Sequence, residues 1–72
     1  MKDYLFRIWD LGSDETSIYT VQACNDNEAK LKFMKACIPL CYNLFDYDTM
    51  VTMFCNENIE IIMIPLEEII KL

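Results

Sequence analysis

Residues 3–10, DYLFRIWD, alternate in character: Tyr4, Phe6 and Ile8 fall on one side of an extended chain, and Leu5, Arg7 and Trp9 on the other. A period of two is the mark of a strand with a buried face. Residues 17–24, SIYTVQAC, repeat the pattern, with Tyr19, Val21 and Ala23 on the apolar side. Between them LGSDET supplies Gly12 and polar turn formers, so this part of the chain predicts a β-hairpin with a six-residue loop.

At Asn25 the period lengthens. Asn25, with Glu28 three residues on, has the spacing of an N-cap and capping box. Asp26 and Glu28 put negative charge in the first turn, beside the positive end of the helix dipole. Leu31, Met34 and Ile38 form one apolar stripe, with Ala29, Phe33 and Cys37 beside it, while Lys30, Lys32 and Lys35 turn to solvent. Glu28 is set to pair with Lys32 at i,i+4. Pro39 disfavours helical geometry at Ile38 and stops the helix there.

Residues 39–48, PLCYNLFDYD, fit either a short second helix with Pro39 at its first position or an irregular link. TMVTMFC and NIEIIMI, separated at Asn56-Glu57-Asn58, are short, apolar and rich in β-branched residues, which predicts a second hairpin. A competing assignment takes Asp48 as a cap and residues 49–55 as a helix. PLEEIIKL places Pro65 at the start of a short C-terminal helix, with Glu67 and Glu68 in its first turn. The expected fold is a small α+β single domain over residues 1–72. Its mostly antiparallel sheet of about four strands, from two hairpins, packs on one main helix and is followed by the short C-terminal helix.

Composition adds a tension to this picture. With 72 residues and 54% hydrophobic side chains, the chain has too little interior to hide its apolar groups. A contiguous apolar remainder on the surface implies a partner or a second copy. The net charge of −6 is uneven, because no Lys or Arg occurs from Ala36 to Ile70. Affinity for phosphate needs such cations, so direct nucleic-acid binding is not expected. The same field attracts a basic protein surface, including one that normally holds nucleic acid. The opening MKDYLFRIWDL is broken by Arg7 and Asp10, and the apolar run Ile61 to Leu66 is too short to span a bilayer. The expected setting is cytoplasmic, away from membranes, with thiols reduced.

The candidate chemistry is sparse. Cys24, Cys37, Cys41 and Cys55 are separated by twelve, three and thirteen residues, not the close pairs of a zinc knuckle, and the chain has no His. Buried packing is the simpler role, with Cys37 on the core side of the helix. A thiol nucleophile without a His base, and one Gly for any phosphate loop, give no support for catalysis. No cofactor or metal is expected. Met34, Met50, Met53 and Met63 sit in apolar-periodic segments and read as core filler. Asp46, Asp48, Glu57 and Glu60, with Tyr42, Tyr47 and Trp9, are the candidate partner-binding residues. Aromatics beside acids combine area, cation–π contact and charge complementarity for a basic partner.

In its small size, acidity and missing catalytic motifs the chain resembles phage- or mobile-element-encoded inhibitors, anti-CRISPR proteins among them, which occlude basic nucleic-acid channels. The resemblance is one of class and carries no residue correspondences. It implies a non-enzymatic, acidic protein-binding module that blocks a basic, nucleic-acid-binding surface of a larger protein. Two alternatives stand beside it: a small structural or regulatory homodimer that buries the surplus apolar surface against itself, and a Cys-ligated metal-binding protein.

Overall fold

A computed structural model describes residues 1–66 of the chain. Strand β1 (Lys2–Asp10) and strand β2 (Glu15–Ala23) are followed by helices α1 (Asp26–Cys37), α2 (Pro39–Leu44) and α3 (Tyr47–Asn56), and then by strand β3 (Ile59–Pro65). The three strands form one antiparallel sheet in the order β2-β1-β3.

The first hairpin forms as its alternation requires, with Phe6 opposite Tyr19 and Tyr4 opposite Val21. Its loop is shorter than the sequence implies, because β2 already starts at Glu15. Asp10 shapes the turn by accepting from the backbone N–H groups of Gly12 (3.0 Å) and Ser13 (3.3 Å) through Oδ1. This is the Asx-type turn an aspartate favours. Asp14 takes the left-handed conformation, φ 58°, which Asp tolerates better than bulkier residues.

α1 also forms where the capping residues place it. Asn25 Oδ1 accepts from the Glu28 N–H at 2.9 Å, and Glu28 Oε1 reaches back to the Cys24 N–H at 3.2 Å. Glu28 pairs with Lys32 at 3.3 Å, and the Lys32 ammonium also donates to the Gln22 carbonyl on β2 at 2.8 Å. The buried face is Ala29, Phe33 and Met34. Leu31, expected in the buried stripe, is 51% exposed. Cys37, expected on the core side, is exposed as well. α1 packs beside β2, and only Ala29, Phe33 and Met34 of its apolar residues turn fully inward.

The second half corrects the expected fold class: one hairpin rather than two, three strands rather than about four, and three helices among the described residues. Residues 49–55 belong to α3, not to a strand. Asp46, not Asp48, is the cap, accepting from the Thr49 N–H at 2.8 Å. Met50 is buried, and Tyr47, Val51 and Phe54 pack against the core. This i, i+3, i+4, i+7 spacing suits a helix and overrides the β-branched propensity of Val51 and the threonines. α3 ends at Asn56, and past its Glu57 C-cap Asn58 adopts φ 63° and donates its N–H to the Cys55 carbonyl at 3.0 Å. An Asn in the left-handed position just past a helix is a common stop.

β3 then returns to the free side of β1, pairing Phe6 with Met63 and Ile8 with Ile61. Pro65, expected to begin a helix, closes β3 opposite Tyr4, where an edge strand accommodates a missing N–H. The last described element is therefore a strand, and the C-terminal part of the expected helix, residues 67–72, lies outside the described residues.

All three helices lie on one face of the sheet. The core joins Tyr4, Phe6 and Ile61 of the strands to Phe33 and Met34 of α1, Cys41 of α2 and Met50 of α3. Phe6 is its centre: its ring stacks on Phe33 at 4.3 Å and meets Tyr47 edge-on at 6.2 Å. No helix among the described residues is long and apolar enough to cross a membrane.

Candidate functional site

The α2–α3 corner gathers most of the candidate binding residues. Pro39 at the first position starts α2 without a side-chain cap, and the helix lasts six residues. One and a half turns bury a single side chain, Cys41. The rest of this apolar segment therefore faces solvent: Leu40 is 70% exposed and Leu44 63%, with Tyr42 and Phe45 near 40%. The chain leaves α2 through extended Phe45 and enters α3 at Asp46.

Asp46, Tyr47 and Asp48 each have a distinct environment. The Asp46 carboxylate accepts from the Thr49 N–H, and hydrogen bonding by the Thr49 side chain first and this N–H second holds its carboxyl below the usual 3.8. Tyr47 is half-buried against the core, with the Lys30 ammonium 5.1 Å from its ring centre. Burial, with the adjacent Asp48 charge second, pushes its phenol up to about 12. Asp48 is exposed, and its carboxylate has no partner among the described residues. These three residues form one wall of a shallow cleft of about 400 Å³, whose other wall is Asn27, Lys30 and Leu31 of α1. The cleft offers two carboxylates, an ammonium held against an aromatic face, and the apolar side of Leu31. Its chemistry is that of non-covalent binding to a mixed cationic and apolar surface.

The other candidates are elsewhere. Trp9 and Glu60 are cross-strand neighbours on the sheet face opposite the helices. Trp9 donates its indole N–H to Asp14 Oδ1 at 3.1 Å and lies under the Arg7 guanidinium, 4.9 Å from the ring centre. Glu57 is exposed at the C-cap of α3. The seven predicted residues thus divide between two opposite faces, with Glu57 at the turn between α3 and β3.

Leu40, Leu44 and Phe45 are exposed residues that the sequence reading missed, and Met53, expected as core filler, is exposed as well. The signal was the density of apolar residues from Ile38 to Phe45, too many for a helix only six residues long to bury. Among the cysteines, Cys41 is buried and Cys24, Cys37 and Cys55 are exposed, with desolvation pushing the Cys37 thiol up. Among the described residues, no three His, Cys, Asp or Glu side chains come together as a metal site. In comparisons with known proteins, no family model, curated protein or solved structure matches the chain.

Proposed function

We propose that this chain is a non-enzymatic protein-binding module whose α2–α3 surface docks on a basic, nucleic-acid-binding surface of a larger cytoplasmic protein. The action is that of the phage- or mobile-element-encoded inhibitors it resembles, anti-CRISPR proteins included: the acidic module occupies the place of nucleic acid. One observation carries the reading. The exposed apolar run Leu40, Tyr42, Leu44 and Phe45 continues directly into the acids Asp46 and Asp48, with no cation from Ala36 to the end of β3. Apolar anchors supply the contact area, and the acids steer approach toward positive charge.

The test is affinity capture from the native host, followed by competition. The captured protein is expected to be basic at the contact, to release nucleic acid when the module binds, and to lose the module when Leu44→Arg or Asp48→Lys is introduced. Both variants alter exposed side chains, so folding is retained. Capture that is indifferent to both substitutions, or simultaneous binding of nucleic acid and module, overturns the reading.

A further inference from the structure

β2 is an edge of the sheet, and among the described residues no strand pairs with its outer side. Two hydrogen bonds show which of its backbone groups face outward. Leu11 donates its N–H to the Asn58 carbonyl at 2.8 Å, in step with the β1–β3 register. The odd-numbered residues of β1 therefore bond to β3, and the even-numbered ones bond to the odd-numbered residues of β2. Lys32 agrees with this: its ammonium reaches the Gln22 carbonyl at 2.8 Å from outside the β1–β2 ladder. Thr16, Ile18, Thr20 and Gln22 thus turn their N–H and C=O groups to the open edge.

Long edge strands are ordinarily blunted by Pro, Lys, a bulge or a covering element. From Thr16 to Ala23, β2 carries no charge, no Pro and no Gly, and its register with β1 runs without a bulge. Every residue of the strand except Val21 and Ala23 is exposed. Lys32 guards the Gln22 carbonyl alone, and a carbonyl oxygen can accept a second hydrogen bond.

We infer that this edge is the interface of a homodimer in which β2 pairs antiparallel with β2 of a second copy, joining the two sheets into one. The open groups lie symmetrically about Tyr19, the middle residue of the strand. A two-fold axis there, normal to the sheet, sets Thr16 against Gln22 of the second copy and Ile18 against Thr20. Every outward donor along the strand then meets an acceptor. Tyr19, 36% exposed, faces its own copy across the axis at a pair without mutual hydrogen bonds, where side chains come closest.

The charges beside the edge also suit a second copy. Glu15 of each copy falls opposite Ala23 of the other, near the Lys32 ammonium at Gln22. Lys32 is shared with Glu28, so this contact sets the direction of pairing more than its strength. Asp10 and Asp14 lie at and beyond the hairpin turn, held by the Gly12 and Ser13 N–H groups and by the Trp9 indole. A strand from a basic partner would find along β2 only Glu15 for its cations. α3 packs against β3, at the opposite edge, so the dimer keeps both α2–α3 surfaces open and is bivalent there.

Amide hydrogen exchange of the full chain, read residue by residue by NMR, tests the inference at about 20 and about 500 µM, which bracket a dissociation constant on the order of 100 µM. The Thr16, Ile18 and Thr20 amides should exchange freely when dilute and slow about threefold or more when concentrated. The Tyr19 and Val21 amides, bonded to β1, should be protected at both concentrations. Sedimentation equilibrium should show the mass rising from 8.5 kDa toward twice that value. Thr20→Pro removes an outward donor at an edge position that tolerates proline, so it should leave the circular dichroism unchanged and the chain monomeric. The exchange pattern of the native chain decides the matter even where that variant fails to fold. A monomer at every concentration overturns the inference. So does a dimer that persists in folded Thr20→Pro, or one whose Thr16, Ile18 and Thr20 amides stay as fast as in dilute solution.

Discussion

Leu31 and Met34 stand one turn apart on α1 and look equivalent as letters, yet one is 51% exposed and the other has no exposed surface. Truncating a buried methionine removes transfer free energy and leaves a cavity, so Met34→Ala should lower stability by about 2–5 kcal/mol. Leu31→Ala should change it by less than about 0.5 kcal/mol, as for most surface positions. Urea denaturation with a common slope checks both; equal losses would mean that α1 is rotated on its axis. Tyr47 gives a second residue-scale outcome, in alkali. Its folded value of about 12 exceeds the ordinary 10, because burial and the Asp48 charge disfavour phenolate. A raised value means that its contribution to stability is complete below pH 10 and is lost as the pH climbs toward 12. Denaturant midpoints should therefore fall across that window in the native chain, and less so in Tyr47→Phe.

At the scale of elements, the parts with local signals were legible and those decided by packing were not. The β1–β2 alternation and the Asn25–Glu28 cap specify themselves over a few residues, and both formed. α3 was readable in principle: Tyr47, Met50, Val51 and Phe54 have helical spacing, and Asp46 precedes them as a cap. The β-branched letters and short length of 49–55 favour a strand and compete with that period, which packing then decides. The β2-β1-β3 order was not legible, since β3 pairs with a strand nearly fifty residues earlier and carries no local mark of it. Of the site, the Tyr42–Asp48 grouping was legible from aromatics beside acids, whereas the separation of Trp9 and Glu60 onto another face required the register. The α3 cap gives the element-scale prediction. Asp46→Asn retains an acceptor for Thr49 and should leave the melting temperature nearly unchanged, whereas Asp46→Ala should lower it. Acid acts through the same bonds: Asp46 and Glu28 titrate below their ordinary 3.8 and 4.5. Their contributions are present above those values and vanish as the pH falls through the lower folded ones. Thermal melts from neutral to strongly acidic pH should show the loss, with a smaller loss below pH 4 in Asp46→Asn.

At the scale of the whole molecule, the two faces divide the chemistry. The sheet face away from the helices is largely apolar, with Arg7 set among Asp3, Asp14 and Glu60. The α2–α3 surface combines exposed apolar side chains with Asp48, whose carboxylate has no partner among the described residues. Three of the six basic residues, Lys30, Lys32 and Lys35, are on α1, where Lys32 is tied to Glu28 and Gln22 and Lys30 to the Tyr47 ring. Lys30 shares the cleft with Asp46 and Asp48 and offsets part of the acidic field there, whereas Lys32 is drawn toward β2. If that field steers the module to a basic surface, salt acts on the rate of encounter more than on the lifetime of the complex. Between about 50 and about 300 mM salt the Debye length shortens roughly 2.5-fold, and the association rate should fall steeply while dissociation changes little. Asp46→Asn with Asp48→Asn should reproduce much of that slowing at low salt and flatten the remaining salt dependence. Asn keeps the cap at Asp46, and the Asp48 carboxylate has no partner among the described residues, so folding is held constant in the comparison. Leu44→Ala should behave oppositely, raising the dissociation rate with the salt slope intact, because it removes contact area and no charge. Surface-capture kinetics of these variants against the identified partner separate steering from contact. An association rate indifferent to salt and to the double neutralisation would leave the apolar run as the sole determinant of docking and remove the acids from the mechanism.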